Sequence, residues 1–265
     1  EAAASSVDQN FIAVDDLNGT DIFRIKGNGA GGADVRDVNN NTVATFDLPS
    51  FGSWSYLELK VEMADQGQAE VKINGVTVAS ITSGNFDSNE RTIRRVKIVN
   101  IARGAEVRID DIIIMDQTGS VNNDFVGEVK ISALTVSGSG SNSDFSSTET
   151  NNYEAVDEAS GSDGDTTYNS SKTSGDRDSF SLTDLPETPD TIVGMKTQIS
   201  ARKDDLGLRS YRPVLITGTT TDLGSELALG NGYGLDIKFY ETNPDTGAAW
   251  TEAEINAVEV GYEIP

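Results

Sequence analysis

The chain has 265 residues, a formal net charge of −23 at pH 7, and neither a histidine nor a cysteine. The missing imidazoles and thiols exclude the commonest nucleophiles and proton carriers, zinc sites of the usual N/S type and any disulfide framework. The acidity argues against nucleic acid or an anionic membrane as main partner, because both are bound by clustered Lys and Arg.

The length allows two modest domains or one large sandwich. Residues 11–116 read as consecutive strands joined by turns. Short strands are expected over 21–26, 34–38 and 42–46, linked by Gly- and Asn-rich turns. Leu57, Leu59, Val61 and Met63 then alternate with Glu58, Lys60 and Glu62, which predicts a strand with one buried and one wet face. Residues 69–73 run into Asn74-Gly75, and 76–81 follow. Asn-Gly supplies the two positive-φ residues of a type I′ turn, the strongest hairpin signal in the chain. Residues 92–101 alternate basic side chains with Ile93, Val96, Ile98 and Ile101. The stretch 105–115 ends in Ile112-Ile113-Ile114-Met115, the pattern of a strand covered on both faces.

Turn-forming composition over 117–128 marks a hinge, dividing the chain into domains 1–116 and 117–265. The second domain is the more acidic, with 9 Lys/Arg against 25 Asp/Glu. A strand is expected over 129–136. Residues 138–178 are rich in Ser, Gly, Asp, Asn and Thr, and Tyr153, Val156 and Tyr168 predict a long polar loop tacked to its neighbours at intervals. Further strands are expected over 178–185, 191–202, 208–217 and 234–241. After a turn at Asn243-Pro244-Asp245-Thr246-Gly247, Thr251 and Glu254 form a capping box for a short helix with Ile255 and Val258 inward. The tail 258–264 can finish as a strand.

Candidate chemistry is sparse. Asp15-Asp16, Asp110-Asp111 and Asp204-Asp205 are adjacent pairs, and neighbours on a strand point to opposite faces, so none can flank one scissile bond. Asp157, Asp163 and Asp165 are candidate oxygen ligands for Ca²⁺, without the spacing of a calcium-binding loop. Gly27-Asn-Gly29-Ala-Gly-Gly32 mimics a dinucleotide fingerprint but leads into no helix, so it reads as a turn with a bulge. Arg91, Arg94, Arg95 and Lys97 form the main basic concentration, either a solvated strand face or a contact with the acidic surface of another subunit. No catalytic residue and no cofactor is expected.

Two stretches carry a resemblance. Trp54-Ser-Tyr-Leu-Glu-Leu-Lys-Val61, the Asn74-Gly75 hairpin and the closing Ile109-Asp-Asp-Ile-Ile-Ile114 resemble the later half of the concanavalin-like or laminin-G-like jelly rolls found in phage structural proteins. Residues 116–131, 153–158, 163–168, 201–205 and 244–256 resemble, in that order, landmarks of tailed-bacteriophage virion proteins. The resemblance implies an all-β chain, with a partial jelly-roll sandwich that lacks N-terminal strands and a second sandwich-like domain bearing the short helix. It implies a non-catalytic virion component on the outer surface of a capsid or tail. Decoration protein or head fibre is the first expectation and tail or tail-fibre component the second. Its partners would be other virion proteins and copies of itself in a closed oligomer, trimers suiting three-fold positions on a capsid. Jelly rolls of this type also bind glycans. Trp54, Tyr56 and Phe51 are candidates for stacking on sugar rings, although packing against the sandwich core is the favoured role for Trp54 and Tyr56.

Overall fold

The computed structural model describes residues 10–50, 52–89, 92–98, 108–159 and 161–265. The chain is all-β, with several antiparallel sheets and one short C-terminal helix. It divides into two compact units at residues 130/131. Residues 117–130 belong with the first, where Lys60 pairs with Asp124 at 3.1 Å and Lys72 Nζ lies 3.8 Å above the Phe125 ring.

The first unit contains β1 (Asn10–Asp16), β2 (Asp21–Gly27), β3 (Gly32–Arg36), β4 (Thr42–Asp47), β5 (Leu57–Val61), β6 (Gly67–Ile73), β7 (Val76–Gly84) and β8 (Ile93–Ile98). These form a five-stranded sheet in the order β4-β3-β2-β1-β8 and a three-stranded sheet β5-β6-β7. Ile22, Phe23, Ile25 and Val35 of one sheet pack with Val71 and Ile81 of the other and with Phe86, which follows β7, and this makes the unit a sandwich. Asn74 and Gly75 both have positive φ, as expected for the β6–β7 turn. The glycine-rich stretch 27–32 is likewise a turn, in which the Asn28 carboxamide oxygen accepts the amides of Ala30 and Gly32.

The apolar run 112–115 departs from expectation. Residues 105–107 lie outside the described residues, and 108–115 form no strand. Asp111 has a φ of +52°, a left-handed conformation that breaks an extended path just before the run, and Ile112 to Met115 are exposed instead of covered.

The second unit contains β9 (Val136–Ser143), β10 (Ser146–Ser147), a 3₁₀ turn (Asn152–Ala155), β11 (Asn169–Ser170), β12 (Arg177–Leu182), β13 (Met195–Ala201), β14 (Ser210–Thr217), β15 (Thr220–Leu223), β16 (Leu227–Ala228), β17 (Gly234–Tyr240), α1 (Glu252–Ala257) and β18 (Glu259–Glu263). One sheet runs β15-β14-β18-β12-β9, with β16 beside β14, so the C-terminal strand lies in its centre. The pair β13–β17 forms a separate ribbon. Leu215, Tyr240, Trp250, Ile255 and Val258 make the core, joined by Leu182 and Met195. Thr251 caps α1 with the predicted box to Glu254.

The strand expected over 129–136 is displaced. It begins only at Val136 and continues through Ser-Gly-Ser-Gly-Ser-Asn-Ser, a sequence whose composition suggests a loop. Small residues are required there: a Cβ at Gly140 would lie 2.4 Å from Glu259 Oε2 and 2.6 Å from Ser179 Oγ. The loop that follows is pinned rather than free, because Asn152 Nδ2 donates to the Phe145 carbonyl at 2.9 Å and to Asp178 Oδ2 at 2.7 Å.

Candidate functional site

The basic strand β8 pairs with β1 at the rim of the five-stranded sheet, which sets Arg95 opposite Asp15 and brings Lys97 within reach of Asp21 on β2. Arg95 Nη2 and Nε both reach Asp15 Oδ2, at 2.6 and 3.1 Å, and Lys97 pairs with Asp21 and lies 3.4 Å from Asp15 Oδ1. Burial of Asp15 works to raise its pKa, but the hydrogen bond from Arg95 and the charges of Lys97 and Arg95 outweigh it, and its carboxyl is held below the ordinary range. The neighbouring Asp16 accepts the Ser88 hydroxyl at 2.6 Å and the Thr20 amide at 2.7 Å, and so closes a turn. Two of the four basic residues, Arg95 and Lys97, are therefore engaged inside their own chain. Arg94 is exposed, and Arg91 lies outside the described residues.

Trp54 and Tyr56 take different roles. Tyr56 accepts the Asn74 amide on its carbonyl and donates its own amide to Asn74 Oδ1, both at 3.0 Å, which fastens it to the β6–β7 turn. Its hydroxyl occupies the space a side chain at residue 75 would need: a Cβ there would lie 2.7 Å from Tyr56 Oη. Tyr56 also lines a small apolar cleft of about 120 Å³ with Phe11, Ile25, Phe46 and Leu57. That is the volume of a single ring-sized group, below the ~300 Å³ at which ligand pockets usually begin. Trp54, by contrast, is 69% exposed, so the expected packing role is corrected for this residue. It sits in the irregular segment before β5, which carries the indole away from the core. Phe51 lies outside the described residues.

The acids proposed for Ca²⁺ are dispersed. Asp165 accepts from Arg202 Nη2 at 2.7 Å and from the Tyr233 hydroxyl at 2.9 Å, while Asp163 accepts the Thr167 hydroxyl at 3.0 Å and Asp157 is exposed. Among the described residues no three such groups gather as a metal site. Asp165 instead ties the polar loop to the strand end at Tyr233, and the hydrogen bonds from Arg202 and Tyr233 lower its pKa.

One surface escaped notice in the sequence. β13 and β17 pair through seven consecutive partners, from Met195↔Tyr240 to Ala201↔Gly234. Their inward face carries Thr197 and Tyr240, both buried, together with Asp236, which accepts the Tyr211 hydroxyl at 2.6 Å, and Lys238, which pairs with Asp222. The outward face presents Leu235, Ile237 and Phe239 at 60, 48 and 71% exposure, beside Lys196, Gln198 and Ser200. The alternation Leu-Asp-Ile-Lys-Phe marks these residues as a strand with one apolar face. Alternation alone does not say that the apolar face is the outer one. Compared with known protein families, with curated proteins and with solved structures, the chain matches none.

Proposed function

We propose that this chain is a non-catalytic structural component of a tailed-phage virion, an external capsid decoration protein or head fibre. The observation that carries the reading is the use the fold makes of its acids. Asp15, Asp16 and Asp34 in the first unit, and Asp178 and Glu259 in the second, are each held by donors of their own chain, and they fasten turns, strand edges and the polar loop. The exposed remainder of the −23 charge forms a hydrated, self-repelling coat, suited to the outside of a particle. The ordered resemblance of residues 54–114 and 116–256 to phage structural proteins supports the same reading. Its partners would be other virion proteins and further copies of the chain. Antibody labelling of purified particles tests it: label on capsids is expected, label confined to tails moves the chain to the tail, and particles without label reject a virion role.

A second reading, a tail or tail-fibre component that binds host glycans through the first unit, is favoured by the exposure of Trp54. Indole faces stack on sugar rings with little reorganisation when they already stand in water. A glycan array probed with the wild-type chain and with Trp54→Ala checks this. Binding that survives the substitution removes Trp54 from the site, and no saturable binding removes the reading.

A further inference from the structure

We infer that two copies of this chain pair edge to edge along β17, antiparallel and with the two-fold axis at Ile237, joining their ribbons into one four-stranded sheet. The inference concerns the chain itself and does not depend on its place on a particle. β17 has β13 on one side only, and among the described residues no other backbone group hydrogen-bonds to residues 235–239. Such an edge is a template for another strand.

The sequence of this edge is self-complementary. A two-fold at Ile237 sets Leu235 opposite the partner's Phe239, and Asp236 opposite the partner's Lys238, with the same pairs repeated on the other side of the axis. Each apolar pair lies on the outward face and each charge pair on the inward face, so the alternation of both strands is kept. Neighbouring two-fold registers centre on Asp236 or Lys238 and place like charges against each other. The charges therefore select one register and penalise those beside it. Lys238 already pairs with Asp222 in its own chain but stays partly exposed, with its side chain at 31%, and so can take a second carboxylate. The other open edge lacks these properties: a two-fold at Gln198 of β13 would set Lys196 against Ser200 and Thr197 against Ile199. In a chain of net charge −23, an edge whose acid and base are balanced is a place where two copies can meet without general repulsion.

The chain has no cysteine, which permits a clean test on the full 265-residue protein. Residues facing each other across an antiparallel pair have Cα atoms about 4.5–5.5 Å apart, within the range a disulfide bridges. Two Leu235 residues would be separated by roughly 13 Å along the same pair, beyond that range. Under mild oxidation at micromolar concentration, Ile237→Cys is expected to convert to a covalent dimer at least ~10-fold faster than Leu235→Cys. Equal rates, or no dimer from Ile237→Cys, overturn the proposal. Circular dichroism confirms that both variants fold, and sedimentation of the unsubstituted chain supplies a readout independent of either. A dimer weakened by Lys238→Glu is expected there. A wild-type chain that sediments only as a monomer or only as a trimer overturns it.

Discussion

Glu259 holds Ser141 with both of its oxygens: Oε2 accepts the Ser141 amide and Oε1 the Ser141 hydroxyl, each at 2.7 Å. The Ser179 hydroxyl also donates to Oε2 at 2.7 Å, so one carboxylate of β18 ties together β12 and the polar strand β9. Burial tends to raise the pKa of Glu259, but these hydrogen bonds prevail and lower it from its ordinary 4.5. A depressed folded pKa means that the contribution is present above the unfolded value and is lost as pH falls through the folded one. Glu259→Gln turns an amide toward donors on one side and is expected to cost about 1–2 kcal/mol at pH 7. Urea unfolding at several pH values should show this deficit shrinking below pH ~4.5, where the wild type loses its own advantage. A deficit that does not depend on pH would remove Glu259 as the clamp.

Asp178 has the opposite sign. It is fully buried, and burial raises its pKa although it accepts the Phe145 amide at 3.0 Å and Asn152 Nδ2 at 2.7 Å. A raised folded pKa gives a contribution that is present at low pH and is lost as pH rises through it. Asn152→Ala removes a donor from the charged form and pushes the carboxyl higher still. The expected loss is about 1.5–3 kcal/mol at neutral pH, the range for hydrogen bonds to charged groups, and it should narrow as acid protonates Asp178. Hydrogen exchange should quicken at Phe145 and in the following 3₁₀ turn. Unchanged protection there would show that Asn152 does not hold the loop.

Local chemistry was the legible part of this chain. Asn74-Gly75 and the Thr251–Glu254 cap depend on neighbours only a few residues away, and both appear where the residues place them. The strand β9 was illegible because its specification is distant. Gly138 and Gly140 look like linker until Ser181, Ser179 and Glu259, at least 39 positions further along, are seen to press against them. The run 112–115 was conspicuous, yet its burial could not be inferred, since one left-handed residue, Asp111, breaks the path before it. For the same reason the basic strand was easy to find but its use was not. Asp15 and Asp21, which engage Arg95 and Lys97, lie more than 70 positions earlier.

At that pair the two partners are unequal. Asp15 is fully buried, whereas the Arg95 side chain is half exposed. Arg95→Ala strips the bidentate donor from a buried carboxylate and leaves it with Lys97 alone, while Asp15→Asn leaves behind a guanidinium that water can reach. The arginine substitution is therefore expected to lower the urea midpoint more than the aspartate one. The depressed pKa of Asp15 adds stability above the unfolded value that is lost as pH falls. Asp15→Asn should accordingly flatten the acid side of the stability profile. An Asp15→Asn chain less stable than Arg95→Ala would contradict the argument from exposure.

Gly261 lies in the central strand β18, opposite Ser179 of β12, and a Cβ there would fall 1.9 Å from the Asp178 carbonyl oxygen and 2.9 Å from Ser179 Cα. Both obstacles are backbone of a strand fixed on two sides, so neither can move as a flexible side chain would. Gly247 offers the contrast. Its φ is +67°, but nothing lies within 4 Å of the position a Cβ would take. Alanine at residue 247 should cost only the left-handed conformation, about 1–2 kcal/mol. Alanine at residue 261 has to separate β18 from β12, and the loss should reach or exceed the ~3 kcal/mol upper end of ordinary overpacking. Urea midpoints and soluble yield of Gly261→Ala and Gly247→Ala distinguish the two. Similar losses would mean that β12 and β18 can part locally, and that the centre of this sheet is less rigid than its register implies.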